Sequence, residues 1–234
     1  MSAQQIINEL KSYASEDRRK TNEWFFKTGQ GEYSEHDRFI GVRVPHTRQI
    51  AKKHFNSVND KQLGELLKSP IHEVRHLGLI ILVNQYQAGD QDRVFDYYLS
   101  HLEAVNNWDL VDTSAPQIVG HYLHQHPEKQ SLLFTWVKSK DLWIRRIAIV
   151  CTLTLIKQQE FAPTLTLAKH LLDDSHDLIH KAVGWMLREI YKQDAEVCLS
   201  FIRQNYAQLP RTTLRYAIER LEESERKRYL KGDF

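Results

Sequence analysis

Glycine and proline are both scarce, 9 and 6 in 234 residues. Strand-like alternation is hard to find as well, so the turn-rich β classes are disfavoured. Cysteine occurs twice, at Cys151 and Cys198, each inside an apolar stretch (IVCTL, EVCLSF). That excludes a disulfide scaffold; reduced, buried thiols in a cytoplasmic protein are expected. No apolar run approaches the roughly 20 residues of a membrane span. The opening MSAQQIINELKSYASEDRRK has no hydrophobic signal core, and no membrane association is expected. An excess of one charge is missing too, because 32 Lys and Arg face 30 Asp and Glu, a net +2. Bulk charge therefore does not argue for a nucleic-acid partner, and only the placement of the charges can. A content of 41% hydrophobic residues excludes disorder and allows a substantial core.

What is present is helical spacing, repeated. Ser2 and Gln5 form a potential capping box for a first helix with Ile6, Ile7, Leu10 and Tyr13 on one face. A second helix is expected near Asp17–Lys27. The one glycine-rich stretch, Thr28–Pro45, holds Gly29, Gly31 and Gly41. Beyond it, a step of 35 from Arg75 lands on Leu110, Arg145, His180 and Arg215. One residue earlier stand Val74, Asp109, Ile144, Ile179 and Leu214; two later stand Leu77, Asp112, Ile147, Ala182 and Ala217. A period in this range filled with helix pairs marks an α-solenoid. The expectation is an all-α solenoid of about six helix pairs, the first two less regular, with one continuous concave face. No linker or composition shift appears, so residues 1–234 read as a single domain.

Against this repeat, Asn106–Gly120 (NNWDLVDTSAPQIVG) stands out. Asp109 and Asp112 occupy columns that are otherwise apolar, and burying an unpartnered carboxylate costs several kcal/mol. A helix starting near Asn107, capped by Asn106 or Asn107, stacks Trp108 and Asp112 on one face. Asp109 in the first turn also suits the helix dipole. Pro116 cannot donate to the Asp112 carbonyl, so the helix is expected to kink or loosen there.

Basic residues gather on the second helix of each pair: His72, Arg75 and His76; Arg145 and Arg146; His180, Lys181 and Arg188; Arg211 and Arg215. Lys27, Arg43, His46 and Arg48 extend the series toward the N-terminus. Such a track suits backbone phosphates, although taken alone it also fits a solvated face. Trp24 and Trp136, among apolar neighbours, are expected in the core. Trp108, Trp143 and Trp185 lie beside charges, where an indole face can meet a cation or sugar. His72–His76 reads HEVRH, matching the H-E-x-x-H zinc pattern. Leu79 and Leu82 stand where its longer form needs glycine and a third His, and Glu103 is only a distant third ligand. No Walker loop, G-x-G-x-x-G, G-x-S-x-G or C-x-x-C occurs.

The segments Phe39–Lys52, Asn106–Pro116, Leu142–Ile149, Lys181–Glu189 and Pro210–Glu219 give the sequence its family likeness. It resembles the AlkD-like DNA alkylation repair family, DNA glycosylases built from HEAT-like repeats. The resemblance implies excision of cationic alkylated purines, such as N3-methyladenine and N7-methylguanine, from duplex DNA. It places the catalytic carboxylate at Asp112, the two aromatic walls at Trp108 and Trp185, and the phosphate-binding arginine at Arg146. Arg188 matches a further helix arginine. NEWFFK offers Trp24 or Phe25 where the family carries a tyrosine. Arg145, Lys181, Arg211, Arg215, Arg43 and Arg48 are further candidates for phosphate contacts along a basic concave face. No metal or cofactor is expected, and a monomer is. Two other readings stay open: a catalytically silent DNA- or protein-binding scaffold, and a zinc hydrolase at His72 and His76.

Overall fold

A computed structural model describes residues 2–234, and the described residues are all-α apart from one bridge between Arg38 and Ile71. Residue contacts divide the chain into two compact units, the first ending at Ser114 and the second beginning at Ala115. The first holds α1 (Ala3–Lys11), α2 (Glu16–Phe26), α3 (Val44–His54), α4 (Asp60–Leu67), α5 (His72–Gln87), α6 (Gln91–Leu99) and α7 (Trp108–Ser114). The second holds α8 (His121–Gln125), α9 (Ser131–Trp136), α10 (Leu142–Val150), α11 (Leu153–Lys157), α12 (Ala162–His170), α13 (Asp177–Gln193), α14 (Ala195–Asn205), α15 (Arg211–Ala217) and α16 (Glu223–Lys231).

The repeat read from the sequence is a repeat of helices. α5, α7, α10, α13 and α15 begin at His72, Trp108, Leu142, Asp177 and Arg211, close to the 35-residue step. Each is the second helix of a pair, after α4, α6, α9, α12 and α14 respectively. In the first unit α3, α5 and α7 pack in series, and in the second α10, α13 and α15 do. The N-terminal group is less regular, with α1 packed on α3 and α4. The Ser2–Gln5 capping box is present, and both orphan donors it serves are satisfied.

α5 is the core of the first unit. Its stretch from His72 to Val83 is buried on every side, against α3, α4, α6 and α7. A helix wrapped on all faces has no need of an amphipathic pattern, and HLGLIILV has none. α13 is the central helix of the second unit, packed on α10, α11, α14 and α15, but it is buried on one face only, through Ile179, Ala182, Val183, Met186, Leu187 and Ile190. Gly184 sits at its tightest crossing: a Cβ there would lie 2.6 Å from the Thr213 carbonyl oxygen.

The loosening expected at Pro116 is a π-turn over Pro116–Gly120, with the Gly120 amide donating to Ala115 O across five residues. The Pro116 carbonyl is taken by the Thr154 hydroxyl at 2.6 Å. Gly120 lies against α11's entry, where a Cβ would come within 2.1 Å of the Cys151 carbonyl oxygen. Both cysteines are free and buried, and burial pushes the Cys198 thiol up to about 12. No helix among the described residues is long and apolar enough to cross a membrane.

Candidate functional site

The first unit carries Trp108, Asp109 and Asp112 on α7. Three consecutive residues at its start are held differently. Asn107 is fully buried; its Nδ2 donates to Ser34 Oγ and Asp37 Oδ2, both at 2.8 Å, while its Oδ1 accepts the Trp108 amide at 2.8 Å. Trp108 is half-buried and stacks on Phe26, centroids 5.2 Å apart and planes 16° from parallel. Phe25 meets its edge at 5.8 Å. Asp109 pairs with His72 Nε2 at 2.8 Å. Asp112 is half-buried one turn after Trp108, as the i, i+4 spacing requires.

Asp109 therefore breaks its apolar column because a histidine one repeat earlier meets it. Its side chain is only 16% exposed. Burial raises a carboxyl, but the His72 charge and hydrogen bond outweigh it and hold Asp109 below its ordinary range. His72 has a second acid, Asp37, with Oδ2 3.5 Å from its Nδ1. Burial opposes the imidazolium, yet the two carboxylates win and push His72 up to about 9. Its ring lies on Phe39, centroids 4.6 Å apart, a face that favours the cation. His76, one turn on, has no such acid against its ring; it is 3.2 Å from Thr113 Oγ1, and burial pushes it down to about 4.

The HEVRH motif is accounted for by these contacts. Glu73 does not stand between the histidines as a base; its carboxylate accepts the amides of Ile40, Gly41 and Val42 at 2.8 to 3.3 Å. Gly41 makes this possible, with φ of +78° and no room for a Cβ beside the Ser15 carbonyl. Arg75 donates to Ser69 O at 2.9 Å, to Asn106 Oδ1 at 3.0 Å and to Asp37. Glu103 is exposed on a short 3₁₀ turn. The glycine-rich stretch thus delivers Ser34, Asp37 and Phe39 beneath α7, a role the sequence reading missed.

Trp24 is a correction. Its apolar neighbours suggested the core, but it is 81% exposed at the end of α2, and Phe25 is 54% exposed. Of the three aromatics in that run, Phe26 is the one that packs. Trp24 and Phe25 line a shallow pocket of about 420 Å³ with Lys27 and Glu32. Trp136 is half-buried rather than enclosed.

In the second unit Trp185 and Arg146 sit on α13 and α10. Trp185 is half-buried, its Nε1 donating to Glu189 Oε1 at 3.0 Å. Arg146 is buried to 5% exposure and donates to Leu178 O at 2.7 Å. The remaining basic candidates differ in what they already hold. Arg145 is committed internally, to Asp174 and to the carbonyls of Ser139 and Lys140. Lys181 pairs with Asp177 at 2.8 Å, Arg188 with Glu219, and Arg211 donates to Leu230 O at 2.6 Å. Arg43, Arg48 and Arg215 are exposed.

The two histidines give stability a maximum in pH. His72 is raised in the folded state, so its contribution is full below about 6.5 and is lost as pH rises through about 9. His76 is depressed, so its contribution is full above about 6.5 and is lost as pH falls toward about 4. Melting temperature should peak near pH 6.5. His72→Gln should flatten the decline between pH 6.5 and 9, and His76→Asn the decline between 6.5 and 4; unchanged limbs in calorimetric scans would refute the assignment.

A family model described as "DNA alkylation repair enzyme" matches residues 6–221. A predicted DNA alkylation repair enzyme from Enterococcus faecalis has a similar solved structure, with TM-score 0.72 and 14% identity over 90% of this chain and 97% of that one. AlkD2 from Streptococcus mutans matches with TM-score 0.53 and 16% identity, covering 93% and 96%. The protein smu.31 from Streptococcus mutans UA159 gives 0.53 and 17%, covering 81% and 90%. No curated protein sequence matches. At such identities the solved structures establish the all-α repeat fold, and the family model carries the DNA repair role.

Proposed function

Because the chain belongs to the DNA alkylation repair enzyme family, we propose that it is a DNA glycosylase that hydrolyses the N-glycosidic bond of cationic alkylated purines in duplex DNA. The observation that carries this reading is the half-buried Asp112 one helical turn from the stacked Trp108. Alkylation at N3 or N7 makes the purine a cationic leaving group, so breaking its bond to C1′ needs little proton donation. The bonding electrons neutralise the departing base, and C1′ acquires oxocarbenium character. A carboxylate beside the sugar stabilises that charge and orients water for attack at C1′. The water's proton leaves as the C1′–O bond forms, and the products are free base and an abasic site. Trp108 and Trp185 serve as aromatic walls that favour positive charge and exclude bulk water. Arg146 holds a phosphate beside the lesion. The protein acts as a monomer, in the cytoplasm, without metal or cofactor.

A silent scaffold needs a repeat and a basic surface but no carboxylate paired with an indole wall. Incubating the protein with a duplex bearing a single N7-methylguanine separates the two: release of free base supports the enzyme, and binding without release supports the scaffold.

Apart from Arg146 beside the lesion, phosphate contacts along the duplex belong to the exposed Arg43, Arg48 and Arg215 rather than to every basic residue. Duplex affinity should fall steeply with salt, and Arg43→Ala, Arg48→Ala and Arg215→Ala should each lower the slope of log K against log salt by about one. Arg145→Ala, whose guanidinium is held by Asp174, should leave that slope unchanged and lower the melting temperature instead. Titrations at three salt concentrations test this; a salt-independent affinity refutes it.

A further inference from the structure

We propose that the buried His72–Asp109 pair, backed by Asp37, Ser34 and Asn107, is a positioning device that holds the Trp108 wall. This rests on the reading of α7 as the catalytic element. α7 has seven residues, too few to fix its own start by helix cooperativity alone. The backbone of residues 107–109 must therefore be held from outside. Asn107 is clamped on one side of Trp108, by Ser34 and Asp37. Asp109 is clamped on the other, by His72. The ring of Trp108 rests on Phe26, which itself rests on Phe39 at 4.9 Å and on His72 at 5.1 Å. One imidazole thus serves both the ion pair behind the backbone and the ring pile under the indole.

Packing demand does not explain this choice. A cation between two acids in the core is costly, and an apolar side chain of similar shape often serves stability as well or better. Nor is the pair saturated: Asp109 Oδ1 is buried with no hydrogen-bond partner among the described residues. A group placed for stability alone is normally satisfied at both oxygens. What the arrangement does supply is direction, since the two pins fix the backbone on either side of one indole.

The test uses His72→Gln and Asp109→Asn, each alone and in a Trp108→Ala background, in the full chain. Single-turnover release of N7-methylguanine should fall about tenfold in either single variant, with duplex affinity within about twofold. In the Trp108→Ala background the same substitutions should change the rate by less than about twofold, because the wall they position is gone. The near-UV signal of Trp108, taken as the difference from a Trp108→Phe protein, should weaken in both. Equal rate losses in the two backgrounds would overturn the proposal, and so would a wild-type Trp108 signal in both variants. If the wild-type protein releases no base, the glycosylase reading fails by itself, and the Trp108 signal still decides the positioning. If both variants lose the fold, the pair is a structural element and the proposal is wrong.

Discussion

Asp112→Asn is expected to lower excision of N7-methylguanine by about two orders of magnitude or more, with melting temperature and duplex affinity retained. The substitution keeps the shape of the side chain and removes its charge. A carboxylate that stabilises an oxocarbenium ion contributes several kcal/mol to the transition state, and each 1.4 kcal/mol is about tenfold in rate. Folding is expected to tolerate the change because asparagine keeps the shape of the side chain and its capacity to hydrogen-bond. Affinity is expected to hold or tighten, since an acid facing phosphates is gone. Excision at near wild-type rate would sink the assignment of Asp112. Asp109 is a poor substitute as catalyst, because its carboxylate is engaged by His72.

The largest loss of stability is expected from Asp37→Ala. Asp37 is buried and serves Arg75, Asn107, Ser34 and His72 together. Its removal leaves a guanidinium and an imidazolium in the core without their shared counter-ion. Breaking one partner of a buried pair costs about 3–5 kcal/mol, and at roughly 2–4 °C per kcal/mol for a chain of this size the melting temperature should drop by about 10 °C. Adding Arg75→Met should restore part of the loss, because the stranded guanidinium goes with it. A cost below about 1 kcal/mol in denaturant titration would mean that water already relaxes the cluster.

The helices were legible because their signals are local or periodic. The Ser2 capping box, the π-turn at Pro116 and the starts of five second helices follow from spacings within one repeat. The seat of α7 was not legible, since its partners come from far along the chain. The two acids in apolar columns signalled that something unusual sat there, but not that His72 would answer Asp109 while Asp112 stayed half-buried. WFF was misread for the same reason: composition marks an aromatic run as apolar without saying which ring faces inward. The clustering of basic residues was visible, but their commitments were not; Arg145 and Arg146 are adjacent, yet Arg145 is held by Asp174 and the carbonyls of Ser139 and Lys140, while Arg146 donates to Leu178 O.

The hydrogen bond from Asn107 to Ser34 spans 73 residues, two repeats' worth of chain. Arrays of helix pairs ordinarily gain stability from nearest neighbours only, so they fray from an end and tolerate loss of a terminal repeat. Here a tie across intervening repeats makes the N-terminal unit a single cooperative block. Its α7 cannot keep its seat while residues 34–39 are detached, so truncation from the N-terminus removes the site before it shortens the array. Repeat units that look interchangeable by period are, in this unit, not modules.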